Sequence, residues 1–125
     1  ESDSFDCAVL SLTLQAVRHP DRVLAGMKRV APRLIVSLPN FAHWRLRADL
    51  FFRGRMPVTP SLPYQWYDTP NIHLCTLRDF ETMVADLGLE IESMVPVGAD
   101  GRKGPGRAGL ASNLLAERAV YVLSA

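Results

Sequence analysis

Two short apolar runs predict strands that are buried in a parallel sheet. Residues 5–12 and 34–38 are almost continuously apolar, and turn-forming residues border each run. Strands that are covered on both faces have this pattern, whereas strands with one wet face alternate apolar and polar residues. Between the runs, apolar residues recur at helical spacing from Val23 to Val30, after a proline at position 20 that suits a first helical turn. Strand, helix and strand in this order predict a βαβ unit with a right-handed crossover.

A second helix is predicted from about Phe41 to Arg53. Asn40 can cap its N-terminus, and Gly54 can end it. At helical spacing, one face of this segment is apolar and another carries alternating charges. The apolar face comprises Phe41, Trp44, Ala48 and Phe51, and the charged stripe comprises Arg45, Asp49 and Arg53.

The last part of the chain predicts a third helix and two more strands. Thr76 and Asp79 have the spacing of a capping box, and Gly88 suits a helix C-terminus. Residues 89–97 and 116–123 have the apolar pattern of strands.

The glycine-rich, basic segment 98–115 is predicted to be a flexible loop between these two strands. No serine or threonine follows its lysine, and it is not expected to lead from a strand into a helix. It therefore does not match a phosphate-binding loop. An antiparallel hairpin connection is the favoured interpretation.

Composition narrows the class of protein. At 125 residues with 48% hydrophobic and 22% charged residues, the chain suits a single globular domain over 1–125. A net charge of +1 gives no indication of nucleic acid or an anionic membrane as a partner. No apolar run approaches the about 20 residues that a membrane-spanning helix needs. We expect a cytoplasmic protein whose two cysteines, Cys7 and Cys75, are buried free thiols.

The start of the sequence suggests a truncation. The chain begins with Glu1 rather than methionine, and a strongly apolar segment follows almost at once. The N-terminus is acidic and polar, which is unlike a secretory signal. We expect a domain that lacks its N-terminal part.

Residues 55–75, named here the lid segment, combine four prolines with three aromatic residues. Disordered linkers rarely carry so many aromatic side chains, so we expect an ordered excursion. It is interpreted either as a lid over a substrate pocket or as a protein-binding surface, and recognition is favoured over chemistry. The candidate residues are Asn40, Tyr64, Trp66, Tyr67, Asp68, Asn71 and His73.

His73 and Cys75 lie close enough in sequence to suggest a metal site or a general base. A zinc site needs three or four ligands, and the other histidines, His19 and His43, lie on unrelated predicted elements. A general base needs a partner and a substrate, which the sequence does not show. We therefore predict no metal site, with His73 hydrogen-bonded in the loop and Cys75 packed as a small apolar residue.

The motifs resemble a known family over roughly residues 3–123. The segments "DSFDCAVLSLTLQAVRHPDRVLAGMKRV" and "LIVSLPN" resemble the fourth strand, crossover helix and fifth strand of class I S-adenosylmethionine-dependent methyltransferases. The segments "LPNFAHWRLR", "RGRMPVT" and "LPYQWYDTPNIHLCTLRDF" resemble the MetW family of methionine biosynthesis. This resemblance implies the C-terminal part of a Rossmann-like sheet, with two parallel strands, a crossover helix, further helices and a final strand pair that includes an antiparallel strand.

The resemblance also implies where ligands bind. In such sheets, ligands lie beyond the carboxyl ends of the strands, and the family fold assigns the methyl donor to Ser11, Thr13, Leu14 and Gln15, with the acceptor near Asn40. The alternative is that Thr13 and Gln15 only finish a strand and cap a turn. The glycine-rich turn that holds S-adenosylmethionine in this fold has no counterpart in the sequence. The chain alone is therefore expected not to hold the cofactor, whereas the resemblance implies S-adenosylmethionine in the parent-length protein.

Three functions follow from the resemblance. The favoured one is a binding or regulatory subunit that acts with homoserine O-acyltransferase. The alternative is a methyltransferase for an unknown small acceptor, and the third is a structural fragment that self-associates. Because the loss of the N-terminal strands of this fold would leave the edge of the first strand open, and open edges pair with other chains, a homodimer is expected.

Overall fold

The computed structural model describes residues 5–60, 62–97 and 110–124. It confirms an α/β fold, and apart from one additional helix before the last strand the elements follow the predicted order. The elements are β1 (Cys7–Ser11), a 3-10 turn (Leu14–Ala16), α1 (Pro20–Val30), β2 (Arg33–Pro39), α2 (Trp44–Ala48) continued by a π-helical turn (Asp49–Arg53), α3 (Leu77–Asp86), β3 (Glu90–Val97), α4 (Leu110–Leu115) and β4 (Arg118–Ser124). No helix among these residues is long and apolar enough to cross a membrane.

The four strands form one mixed sheet in the order β1-β2-β4-β3. β1 and β2 are parallel, as the βαβ pattern predicts, and β4 runs antiparallel to both β2 and β3. Because β4 inserts between β2 and β3, the strand that is last in sequence lies in the interior of the sheet. β1 forms one edge.

The core lies on one face of the sheet. Alternate residues of β2 and β4 point to this face, and α1 and α3 contribute to the same apolar cluster. The ring of Phe80 packs against that of Tyr121 with 4.8 Å between centroids. The Tyr121 hydroxyl donates a 2.8 Å hydrogen bond to Glu81. The fully buried members of this face are Leu34, Val36, Leu38, Ala119, Tyr121 and Leu123.

The opposite face of β1 is open within the described residues. Val9 is 65% exposed, and its neighbours Cys7 and Ser11 are exposed as well. The prediction that β1 is covered on both faces is therefore wrong for the part of the chain that the structure describes. Both α1 and α3 belong to the cluster on the other face. The predicted burial of Cys7 is wrong for the same reason, whereas Cys75 is half-buried, and both thiols are free.

The second helix begins later than predicted. Its N-cap is His43, whose ring Nδ1 accepts a hydrogen bond from the backbone N–H of Arg45, so the prediction that Asn40 caps it is wrong. The predicted apolar face is also wrong, because Leu46 is buried while Trp44 and Phe51 are exposed. The late start and the π-helical turn change which side chains face the core.

The charged stripe on the second helix is present. Arg45 and Arg53 are exposed, and the Arg53 guanidinium lies 3.9 Å from the Asp49 carboxylate, one helical turn away. Such exposed pairs contribute little stability, about 0.3–0.5 kcal/mol. Gly54 ends the segment with φ of 62°, as predicted.

The third helix starts and ends as the sequence predicts. Thr76 and Asp79 form both hydrogen bonds of a capping box. Gly88 follows the helix with φ of 73°, a conformation that glycine adopts without a steric penalty, and Leu89 packs in the core.

The segment before β4 contains a helix that was not predicted. α4 occupies Leu110–Leu115, so the prediction of a loop over the whole of 98–115 is wrong at its C-terminal end. The segment therefore does join a strand to a helix, against expectation. Residues 98–109 lie outside the described part of the chain, and the prediction of flexibility there stays a prediction.

The histidine cap makes stability depend on pH. Burial lowers the pKa of His43 below its ordinary value of 6.5, Glu117 opposes this shift, and Arg45 adds to it. Because the pKa of His43 is lower in the folded state than in the unfolded state, this histidine contributes to the free energy of unfolding. The contribution is complete when the pH is above the pKa of the unfolded state. It is lost as the pH falls toward the lowered pKa of the folded state. We expect His43→Asn, which keeps a cap acceptor that does not titrate, to lose this part of the pH dependence in denaturant titrations.

A companion variant tests the cap itself at neutral pH. His43→Ala removes the acceptor of the Arg45 N–H bond and is expected to cost about 1 kcal/mol of unfolding free energy. His19→Ala is the matched control, because His19 occupies the N-cap position of α1 without a side-chain cap hydrogen bond. Equal stability of both alanine variants would contradict a capping role for His43.

Candidate functional site

The candidate site lies at the edge of the sheet where the parallel strands end. β1 and β2 both reach this edge with their carboxyl ends, at Ser11 and Pro39. β4 is antiparallel and begins at the same edge, with Arg118 paired to Pro39. In open α/β sheets, ligands bind outside this end of the strands.

A cavity of about 200 Å³ lies at this edge, between the strand ends and the lid segment. It brings together one residue of the predicted donor site, Gln15, with two residues of the predicted lid, Tyr64 and Asn71. The full lining comprises Leu12, Gln15, Pro39, Pro60, Pro63, Tyr64, Asn71 and Arg118.

A strained turn after β1 positions Gln15 in the cavity wall. Leu12 has φ of 51°, which costs a residue with a side chain about 1–2 kcal/mol. Its backbone N–H donates to the carbonyl and hydroxyl oxygens of Ser37, at 3.0 and 3.1 Å. Its carbonyl accepts a 2.9 Å hydrogen bond from Nε2 of Gln15. These bonds hold the turn and leave Gln15 only 6% exposed.

His73 attaches the lid segment to this turn. Its backbone N–H donates a 2.9 Å hydrogen bond to the carbonyl of Gln15. Its ring Nε2 lies 3.1 Å from the carbonyl of Arg18, and because a carbonyl only accepts, this bond requires the proton on Nε2. The ring is thus held between segments, whereas a hydrogen bond within the loop was predicted.

Cys75 is not a reactive thiol at neutral pH. Burial raises its pKa to about 11, and the nearby Asp79 carboxylate adds to the shift. The neutral thiol packs against the apolar core, as predicted. Among the described residues, no group of three or more histidine, cysteine or acidic side chains is arranged to hold a metal ion.

Asn40 directly follows β2, and its side chain is used in hydrogen bonds within the protein. Its side-chain N–H groups donate to the carbonyls of Asn113 and Ala116, at 2.8 and 2.9 Å. Its side-chain oxygen accepts from the backbone N–H groups of Ala42 and Leu77, at 3.0 and 3.3 Å. Both donors of the amide are used, so this predicted lid residue has none to offer to a ligand.

The other predicted donor-site residues lie outside the cavity lining. Ser11 is exposed, and its hydroxyl accepts a 3.3 Å hydrogen bond from that of Ser37. Thr13 is exposed and makes no side-chain cap bond to the 3-10 turn that follows it. Leu14 is buried in the apolar core.

The outer aromatic residues of the lid segment point to solvent. Trp66 is 74% and Tyr67 is 71% exposed, and their rings meet edge to face with 5.6 Å between centroids. Asp68 beside them is exposed. The lid segment thus has an inner side that lines the cavity and an outer aromatic side.

Three residues of the cavity wall outside the lid segment were not among the predicted site residues, namely Leu12, Pro39 and Arg118. The turn at Leu12 has no glycine or asparagine to indicate a positive φ, and it becomes visible only in the backbone. Arg118 precedes an apolar run, which predicts the start of a strand. Nothing in the sequence predicts that this strand start pairs with Pro39.

The described residues do not fit the adenosine part of S-adenosylmethionine. β1 leads into the Leu12 turn and β2 into the buried Asn40, and neither is followed by a glycine-rich turn at a helix N-terminus. The cavity of about 200 Å³ is also smaller than the sites of about 300–1,000 Å³ that enclose larger ligands.

Comparison with known proteins gives two sequence matches. The model of the family "Methionine biosynthesis protein MetW" matches residues 1–123. The bifunctional methionine biosynthesis protein MetXA/MetW of Rhodopirellula baltica is 36% identical over 94 residues. That match covers 74% of this chain but only 15% of the relative's length.

Two solved structures are similar in fold. An S-adenosylmethionine-dependent methyltransferase from Thermotoga maritima superposes with a TM-score of 0.63 at 16% identity, over 99% of this chain and 57% of that one. The CurJ carbon methyltransferase superposes with a TM-score of 0.54 at 19% identity, over 100% of this chain and 30% of that one. At these identities the likeness concerns the fold alone, which is that of Rossmann-like methyltransferases. Because the family model covers almost the whole chain, the protein belongs to the MetW family of methionine biosynthesis.

Proposed function

We propose that this chain is a cytoplasmic binding or regulatory subunit that acts with homoserine O-acyltransferase in methionine biosynthesis. The observation that carries the proposal is the Rhodopirellula baltica relative, whose name joins MetXA to MetW in one chain. We take MetXA to be the acyltransferase part. Two proteins that are fused in one organism commonly work on the same step or next to each other in another.

The outer side of the lid segment is the proposed docking surface. Trp66 and Tyr67 expose most of their ring area, and such residues dominate the binding energy of protein interfaces. An apolar groove of about 170 Å³ lies beside them, with Trp66, Ile72 and Leu74 among its walls. An exposed aromatic pair next to an apolar groove favours a partner that presents apolar and aromatic side chains.

Local hydrogen bonds restrain parts of the backbone of the lid segment, which favours tight docking. The backbone N–H groups and carbonyls of Thr59 and Leu62 bond to one another at 3.0 and 3.1 Å. The N–H of Asn71 donates to the hydroxyl of Thr69. An ordered segment loses less conformational entropy on binding than a flexible one.

Exposed arginines precede the lid segment in sequence or lie at its start. Arg45 lies over the ring of Trp44, 5.4 Å from its centroid, and Arg47 donates a 2.7 Å bond to the carbonyl of Ala42. Arg53 and Arg55 are exposed further along. Their positive charge favours a partner that carries acidic residues near its own binding patch.

Removal of the outer aromatic pair tests the docking surface. We expect Trp66→Ala/Tyr67→Ala to weaken binding to purified homoserine O-acyltransferase by about 2 kcal/mol or more, roughly thirtyfold. The matched control is Phe51→Ala/Phe52→Ala, a second exposed edge-to-face pair on the π-helical turn, which we expect to leave the affinity unchanged. Affinity is measured by biolayer interferometry, and equal binding by wild type and the Trp66/Tyr67 variant would refute the surface.

The fold of the structural neighbours supports a second candidate function, methyl transfer from S-adenosylmethionine to a small acceptor. This function requires donor binding by the natural full-length protein. Calorimetric titration with S-adenosylmethionine is expected to give a saturable heat if the chain works as an enzyme. A flat titration at millimolar donor would reject this candidate and leave the subunit function.

A homodimer through β1 is part of the proposal. The outer edge of β1 pairs with no strand among the described residues, and unpaired edges bind other strands. We expect sedimentation velocity to give a species of about twice the 13.9 kDa chain mass. Val9→Lys on β1 should shift it to monomer, whereas Val58→Lys, at another exposed valine, should not. A wild-type monomer at high concentration would contradict this dimer.

A further inference from the structure

Two residues of the cavity wall each carry a buried polar atom that lacks a hydrogen-bond partner. Within the described part of the chain, the unsatisfied buried side-chain atoms are Gln15 Oε1, Asn113 Oδ1 and Arg118 Nε. The first and the last belong to residues that line the same cavity. Each such atom costs about 1–3 kcal/mol when it is left unpaired, and a charged group costs more. Two orphaned groups of opposite hydrogen-bonding character in one cavity indicate a ligand with matching groups.

The orientation of the Gln15 amide is determined by its neighbour. Its Nε2 donates a 2.9 Å hydrogen bond to the Leu12 carbonyl, and the reverse orientation would place two oxygens against each other. The unpaired atom is therefore an acceptor. It requires an N–H or O–H group from a ligand.

Arg118 requires the opposite chemistry. Its guanidinium is always protonated, so Nε carries an N–H donor and a share of a positive charge. The strongest partner for such a donor is an anionic oxygen, as in a carboxylate. Gln15 and Arg118 together therefore favour a molecule that carries a carboxylate and, separately, an ammonium or hydroxyl group.

The size and the apolar walls of the cavity limit the ligand further. A volume of about 200 Å³ corresponds to roughly seven waters at about 30 Å³ each. Leu12, Pro39, Pro60 and Pro63 supply apolar surface for a short aliphatic chain, and the lid contributes Tyr64 and Asn71. A space of this size matches a small amino acid better than a nucleoside.

We propose that this cavity binds a free, small α-amino acid under the lid segment. Its carboxylate pairs with Arg118, its ammonium donates to Gln15 Oε1, and its side chain packs against the prolines. The inference goes beyond the docking function and does not depend on it, because the lining residues all belong to this chain.

Binding is tested on the natural full-length protein without any acyltransferase. The probes are L-homoserine and L-methionine, with propionate as a carboxylate that lacks the donor and S-adenosylmethionine as the large alternative. We expect saturable calorimetric binding of at least one amino acid and none of propionate. Binding of propionate as tight as that of the amino acids, binding of S-adenosylmethionine alone, or no binding of any probe would overturn the proposal.

Three variants assign the binding to the cavity. Arg118→Gln and Gln15→Met each remove one of the orphaned groups and are expected to weaken amino-acid binding at least about tenfold. Arg22→Gln changes an exposed arginine outside the cavity and should leave the affinity unchanged. Unchanged affinity in Gln15→Met would overturn the proposal even if Arg118→Gln failed to fold.

The ligand-free stability of the same variants gives an independent measurement. Because Nε of Arg118 is unpaired, Arg118→Gln is expected to leave the unfolding midpoint equal or higher without ligand. Gln15→Met also removes the hydrogen bond to the Leu12 carbonyl and is expected to lower the midpoint. The midpoint shift produced by the amino acid should shrink in both. A Gln15→Met variant that retained the full ligand-induced shift would contradict the assignment.

Discussion

The hydrogen bonds of one buried amide hold the carboxyl edge of the sheet together. Asn40 directly follows β2 and bonds to the segment before β4, to the start of α3 and to its own turn. A net contribution of about 1 kcal/mol for each bond is modest, but removal of the amide would leave several buried backbone groups unpaired, which costs more. Because Arg118 follows this segment and the lid leads into α3, the geometry of the cavity depends on this residue, which itself contacts no cavity ligand.

The cavity wall and the lid segment are connected through the same residue, Gln15. The turn at Leu12 places the Gln15 side chain in the cavity, and the carbonyl of the same Gln15 accepts the backbone N–H of His73. Strain of about 1–2 kcal/mol at Leu12 is offset by the bonds of the turn to Ser37. A nonglycine residue in this conformation beside two unpaired polar atoms fits a site that is organised for a ligand at some cost in stability.

Local sequence patterns predicted most of the helices and strands correctly, but they predicted few of the contacts at the carboxyl edge of the sheet. The βαβ order, the capping box at Thr76 and the turn at Gly88 depend on residues within a few positions of each other, so periodicity and side-chain chemistry suffice. Asn40 and His43 are both acceptable caps by local chemistry. Only tertiary contacts with Ala116 and Leu77 decide that Asn40 bonds elsewhere. The place of Arg118 beside Pro39 depends on a register between distant segments, which no local pattern contains.

The two proposed functions of the lid segment act on the same few residues. Tyr64 and Asn71 line the cavity, while Trp66 and Tyr67 between them in sequence face solvent. A ligand that bonds to Tyr64 or Asn71 favours the backbone conformations of the lid segment that place these side chains against it. Trp66 and Tyr67 lie on the same stretch of backbone, so their positions change with it. Any such preference is reciprocal, because a partner that favours the same conformation raises the affinity for the ligand by the same factor. A subunit with both proposed functions would report the level of a small amino acid to its proposed partner enzyme.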